Sequence, residues 1–275
     1  MTLRIVISIV MLNGFYIALS GCANRNPPSI EASRAGLVYM FPGIEGSPFW
    51  LRNAVRGLRD GGLRAEIRIF DWQRPVGGLV NLSQLAANRE KAGEVAEQIA
   101  EYRLRFPSAP IDLVGYSGGG GMAVFTAEAL PEAVDVRTIV LAQAALSPTY
   151  DLTAALSRSR AIVNLYCRSD RFTLGLGTRI FGTMDRVYVD SAGQIGFDLE
   201  RAVPDEAARA RLLQHAWDTD ALRTGHIGGH VGILGYRWNR EIVAPLLRAE
   251  DSAPSRGEQS AATSPEIAGR MESGR

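Results

Sequence analysis

Cysteine is almost missing from this chain: Cys22 and Cys167 are the two thiols in 275 residues. Two thiols cannot build the framework of bridges that holds small secreted domains, so a chain of this length must rest on its buried core. An excess of charge of one sign is missing too. The 30 basic and 29 acidic residues leave a net charge of +1, which gives neither nucleic acid nor a strongly acidic substrate a field to bind in. The apolar run from Ile5 to Leu19 is interrupted by Ser8, Asn13 and Gly14 and falls short of the roughly 20 predominantly apolar residues that a membrane span needs. Histidine is scarce, with three in all, so any chemistry that needs an imidazole has three addresses: His215, His226 and His230. The last two are four residues apart, but zinc-protease helices carry a Glu between such a pair, and Gly225, Gly228, Gly229 and Gly232 oppose a helix there. No metal site is expected. Nor is a cofactor: Gly118 to Gly121 lacks the Gly-Lys-Ser/Thr of a phosphate loop, and Gly175-Leu176-Gly177 lacks the third glycine and the setting of a dinucleotide site.

What the chain does have is one informative stretch. The largely apolar Ile111-Asp112-Leu113-Val114 runs directly into Gly115-Tyr116-Ser117-Gly118-Gly119, and Gly120-Gly121-Met122-Ala123-Val124-Phe125 follows. This reads as strand, tight turn and helix. A sharp turn of that kind forces its central serine into a strained conformation, and flanking residues without Cβ let the neighbouring backbone approach. The hydroxyl of Ser117 is thereby presented at the end of a sheet. It also sits at a helix N-terminus, where the unpaired amide of Gly118 and the positive end of the helix dipole favour a developing oxyanion.

A nucleophilic serine needs a base and a carboxylate to orient that base. The apolar run 161–167 reads as a buried parallel strand, and the loop Arg168-Ser169-Asp170-Arg171 follows it. Asp170 is the acid candidate, against the blander reading of a turn or cap aspartate beside two arginines. Asp185, Asp190 and Asp198 are weaker alternatives. His215 lies in 205–217, where the spacing of Ala208, Leu212, Leu213 and Ala216 predicts a helix, and reads as a surface histidine. His226 and His230 lie in a glycine-punctuated loop before the last predicted helix. Such a loop can swing an imidazole toward Ser117; His230, nearer the helix, is favoured as base, with His226 the alternative.

With these residues in place the chain resembles the α/β-hydrolase superfamily over roughly Gly36 to Arg248, with the superfamily's order of nucleophile, acid and histidine. The resemblance implies a serine hydrolase of ester or related acyl bonds that needs no metal or organic cofactor. It also implies a second oxyanion donor, the amide of Ile44, in the loop after the strand 36–41. There Pro42-Gly43 stands in place of the common His-Gly start. An acyltransferase with the same triad, and a non-catalytic binding or scaffolding protein on the same fold, are the alternative readings.

The first residues concern location. Arg4, the apolar run, Leu19-Ser20-Gly21-Cys22 and the polar Ala23 to Ser29 resemble a bacterial lipoprotein signal peptide, with cleavage before Cys22 and lipid on its sulfur. A lipid-anchored protein of the bacterial cell envelope is implied, at the outer membrane or the periplasmic face if the host has two membranes; the lack of Asp after Cys22 is compatible with the outer one. Its partners would be a membrane, through that anchor, and a small-molecule or lipid acyl ester. Residues 1–21 are then signal peptide, 22–35 a tether, 36–249 the hydrolase domain and 250–275 a disordered tail rich in Ser, Ala, Gly, Glu and Pro. Strands are predicted at 36–41, 65–70, 111–115, 137–142, 161–167 and 185–190, and helices at 49–60, 84–105, 118–130, 205–217 and 236–248. This alternation predicts an α/β fold: a mostly parallel sheet of about six to eight strands, helices on both faces and a minimal lid, with one short helix near 151–157. Phe49, Trp50, Trp72 and Tyr116 are expected near the site, either lining an acyl pocket or packing loops onto the core.

Overall fold

The computed structural model describes residues 29–248, apart from 45, 47, 75–77 and 171–176. The signal peptide read at 1–21, Cys22 and the tail read at 250–275 lie outside the described residues. Six strands, β1 Leu37–Phe41, β2 Glu66–Ile69, β3 Ile111–Tyr116, β4 Val136–Ala142, β5 Ser159–Tyr166 and β6 Leu212–Ala216, form one sheet in the order β2-β1-β3-β4-β5-β6. Every neighbouring pair is parallel. The helices that matter to the sheet are α1 Ile30–Ala35, α2 Pro48–Asp60, α3 Gly78–Ser83, α4 Leu85–Arg105, α5 Gly118–Glu128 and α6 Thr153–Ser157. Helix α1 lies within the stretch read as a tether and is tied to β2 by Ser33 Oγ donating to Glu66 Oε2 at 2.6 Å.

Parallel strands with helices over both faces have no solvent side, so their sequences are apolar without alternation. All five residues of β1 are buried. Leu37, Tyr39 and Phe41 pack with Val95 and Ile99 of α4 and Met122 and Phe125 of α5. Val38 and Met40 pack the other way, with Leu51 and Leu58 of α2 and Val243 of the C-terminal helical segment. Helix α5 is buried from Gly118 to Ala127, as its unbroken small and apolar sequence requires. Among the polar residues buried within the sheet is Asp112 on β3, where desolvation pushes its carboxyl up and Arg137 answers with two hydrogen bonds, at 3.0 and 2.6 Å.

The strand order contains one reversal. From β1 the chain steps outward to β2, then crosses back past β1 to β3 and proceeds the other way. Loops leaving the C-terminal ends of β1 and β3 therefore diverge, and the crevice between them is where an open α/β sheet offers a site. Ser117 follows β3 and Pro42 follows β1.

Two predicted elements are corrected. The segment 185–190 is not a strand: Val187, Tyr188 and Val189 are exposed, and Thr183 binds Val187 in a local turn at 3.0 Å. Its strand-forming residues are held in that local turn instead, and the place beside β5 is taken. What takes it is 212–216, predicted within a helix. Asp205 caps a single turn, Glu206–Arg209, and the chain then extends as β6, with Leu165 of β5 opposite His215. The apolar spacing over 208–216 suits a helix, but a parallel partner far away in sequence decides otherwise.

Candidate active site

The turn at Ser117 is held by its backbone. Ser117 has φ 54° and ψ −121°, a region that side-chain-bearing residues rarely occupy and that persists only when the surroundings impose it. Here the Ser117 amide donates to Ala142 O at 3.0 Å, and its carbonyl accepts from Gly120 N at 2.9 Å and Ala145 N at 3.0 Å. The flanking glycines are there for closeness. A Cβ on Gly119 would stand 2.2 Å from Phe41 O, and one on Gly115 2.3 Å from Gly119 O. A Cβ on Gly118 would meet Ile44 Cγ2 at 2.9 Å, so the two residues expected to supply oxyanion donors are neighbours. The Ile44 loop is itself anchored: Trp72 Nε1 donates to Pro42 O at 2.8 Å, and Gln73 Nε2 donates to Gly43 O.

On the far side of β4, Asp170 is buried in the turn after β5, its amide donating to Cys167 O at 3.1 Å. His230 Nδ1 lies 2.7 Å from Asp170 Oδ2. A carboxylate in that position holds the ring in the tautomer that carries its proton on Nδ1 and leaves Nε2 able to accept. Among the described residues none is hydrogen-bonded to Ser117 Oγ.

The other candidates are engaged elsewhere. Asp185 accepts from the amide and hydroxyl of Ser147 at 2.9 and 2.5 Å, Asp190 pairs with Arg179 at 2.6 Å, and Asp198 caps a short helix. His215 is exposed on the edge strand β6. His226 is buried against Trp217 and Trp238, with ring centroids 6.1 and 4.7 Å away, and its Nδ1 accepts from Gly228 N at 3.1 Å. Among the described residues no group of three or more His, Cys, Asp or Glu side chains is placed to hold a metal ion. Tyr116 and Trp72 are fully buried packing residues, Tyr116 donating to Asn239 at 2.6 Å, whereas Phe49 is exposed under Arg52; the side chain of Trp50 lies outside the described set. Sequence reasoning missed Gln143, buried just past β4 at φ 51°. Nothing in its neighbourhood of the sequence marks it; its partners lie far along the chain.

Burial pushes the His226 imidazole down to about 4. It is therefore neutral in the fold while the unfolded chain titrates near 6.5. Between these values the unfolded state binds the extra proton, so stability falls as pH falls. At about 1.4 kcal/mol per pKa unit, taking wild type from pH 7 to pH 5 should cost about 2 kcal/mol through this residue. Urea denaturation at both pH values, set against His226→Phe, tests this; an equal pH loss in the variant would refute it.

A cavity of about 610 Å³ opens beside the site, walled by Leu165, Trp217, Ile233, Trp238 and Ile242, with Gln143 and His226 on its lining. Ser117, Asp170 and His230 do not line it. It flanks the candidate site.

No protein-family model matches the chain, and no curated protein matches it either. Solved structures that resemble it include esterases and hydrolases of the α/β superfamily. A poly(3-hydroxybutyrate) depolymerase from Bordetella parapertussis is 14% identical with a TM-score of 0.46, covering 86% of this chain and 85% of its own. The esterase domain of a Rhodothermus marinus protein is 13% identical with a TM-score of 0.44, covering 79% and 86%. A Xanthomonas campestris protein described as a hydrolase of the α/β superfamily is 18% identical with a TM-score of 0.42, covering 77% and 98%. Likeness at these values does not decide the chemistry, which rests on the side chains described above.

Proposed function

We propose that this chain is a serine hydrolase of the α/β-hydrolase superfamily, cleaving a carboxylic ester or related acyl bond, and that a lipid on Cys22 anchors it in a bacterial envelope. One observation carries the enzymatic reading: a buried carboxylate grips Nδ1 of His230 at 2.7 Å on the same sheet edge that presents Ser117 in a strained turn. In this reading Ser117 Oγ attacks the acyl carbon as Nε2 of His230 takes its proton. Asp170 stabilises the imidazolium, and the amides of Gly118 and Ile44 receive the charge on the carbonyl oxygen. The imidazolium returns the proton to the leaving alcohol. A water molecule, deprotonated by His230, then attacks the acyl-enzyme and frees the acid and Ser117. The envelope assignment is supported by the N-terminal sequence pattern alone.

The test is a fluorophosphonate probe on the full chain, with the modified peptide located by mass. Labelling at Ser117 is expected, and the same peptide map should show lipid at Cys22. Adding an alcohol or amine acceptor during ester turnover separates hydrolysis from acyl transfer. A folded protein that takes up no label overturns the enzymatic reading.

A further inference from the structure

The strands bearing Ser117 and Asp170 are not neighbours, because β4 runs between them. Gln143, the first residue past β4, extends the ladder with its amide, donating to Leu165 O at 2.8 Å, then turns the chain at φ 51°. That conformation suits glycine or asparagine, so the backbone alone gives no reason for glutamine. The side chain does. Gln143 is 1% exposed, and its Nε2 donates to Gly229 O at 3.0 Å. Its Oε1 is buried with no hydrogen-bond partner. Flipping the amide would set oxygen against the Gly229 carbonyl, so that one bond dictates the orientation of the whole group. From the other side Ser169, next to Asp170, accepts from Gly229 N at 3.3 Å. Gly229 immediately precedes His230.

The loop needs such a hold. Gly225, Gly228 and Gly229 all have positive φ, at 80°, 87° and 72°, and glycine brings no side chain to restrict the backbone. We propose that Gln143 is a positioning residue: by fixing the Gly229 carbonyl it keeps His230 seated on Asp170. The inference rests on the reaction proposed above, with one readout that does not. A change of about 1 Å in the placement of a catalytic group can cost on the order of 100-fold in rate.

Two variants separate the side chain from the fold. Gln143→Met keeps the bulk and loses the donor, whereas Gln143→Gly loses the donor and suits the backbone; either decides the matter if the other fails to fold. With the full chain carrying nitrogen-15 histidine, the proton on Nδ1 of His230, held by a carboxylate, should give a downfield, slowly exchanging signal that His230→Gln removes. In a folded Gln143 variant that signal should broaden or vanish. Fluorophosphonate labelling of Ser117 should slow by about 100-fold, with KM for an ester substrate unchanged. A retained His230 signal, or a lost signal with undiminished labelling, overturns the proposal, as does a wild type that never shows the signal. Loss of the signal in a protein whose wild type is not labelled upholds the positioning role and removes the hydrolase reading.

Discussion

Replacing Ser117 by alanine is expected, on the reaction proposed above, to lower ester hydrolysis by about ten-thousand-fold or more while the protein stays folded. Two arguments meet here. Chemically, the hydroxyl is the only group removed, and the members of a triad act as a unit, so losing one abolishes most of what all three provide. Structurally, the conformation of residue 117 is imposed from outside, by Ala142 O on its amide and by Gly120 N and Ala145 N on its carbonyl. None of these bonds uses the hydroxyl. Alanine meets the same left-handed strain as serine, so the melting temperature should stay within about 3 °C of wild type, a shift corresponding to less than about 1 kcal/mol for a domain of this size. Turnover of a chromogenic ester and a thermal melt on the same sample give both numbers. Full activity would remove Ser117 from the mechanism, and an unfolded variant would show that the hydroxyl serves the fold.

Gly119→Ala should do the reverse and strike the fold. Its added Cβ would lie 2.2 Å from Phe41 O and 2.5 Å from Pro42 O. Both are backbone atoms next to the β1–β3 pairing, where Phe41 stands opposite Gly115. Rotating a side chain away cannot relieve the contact; either the strand end or the first turn of α5 must shift. Overpacking of this sort costs typically about 1–3 kcal/mol where neighbours yield, and the rigid partners here place the expected loss at or above the upper end. For a domain of this size that lowers the melting temperature by about 10 °C. The control is Gly93→Ala in α4, where an added Cβ meets nothing within 4 Å and should leave stability unchanged or raise it by up to about 1 kcal/mol. Equal melting temperatures for the two variants would mean that α5 is not seated against β1 as described.

Much of the site was legible because its signals are local. Strand, glycine-flanked serine and helix occupy adjoining residues, and the geometry of that turn is set by which positions lack a Cβ. Asp170 was singled out as the acid candidate by its place after an apolar strand, and the shortage of histidine reduced the candidate base to a choice within one loop. That choice needed tertiary contacts. His230 and His226 share a glycine-rich loop, yet one lies on Asp170 and the other between two tryptophans.

The unread parts share a physical cause. The residues 205–217 have apolar spacing that suits a helix, and 185–190 has the β-branched and aromatic residues of a strand; the first supplied the partner of β5, and the second is held in a local turn between Thr183 and Val187. Gln143 gives no signal in its own neighbourhood, since the carbonyl it holds belongs to Gly229. By itself the amino-acid sequence determined the apolar strands, the long helices, the nucleophile turn and the small set of candidate acids and bases, because propensity, periodicity and the room left by glycine act over a few residues. Only the tertiary structure decided the sixth strand, the partner of Asp170 and the hold on Gly229, because these depend on which distant segments share an edge of the sheet.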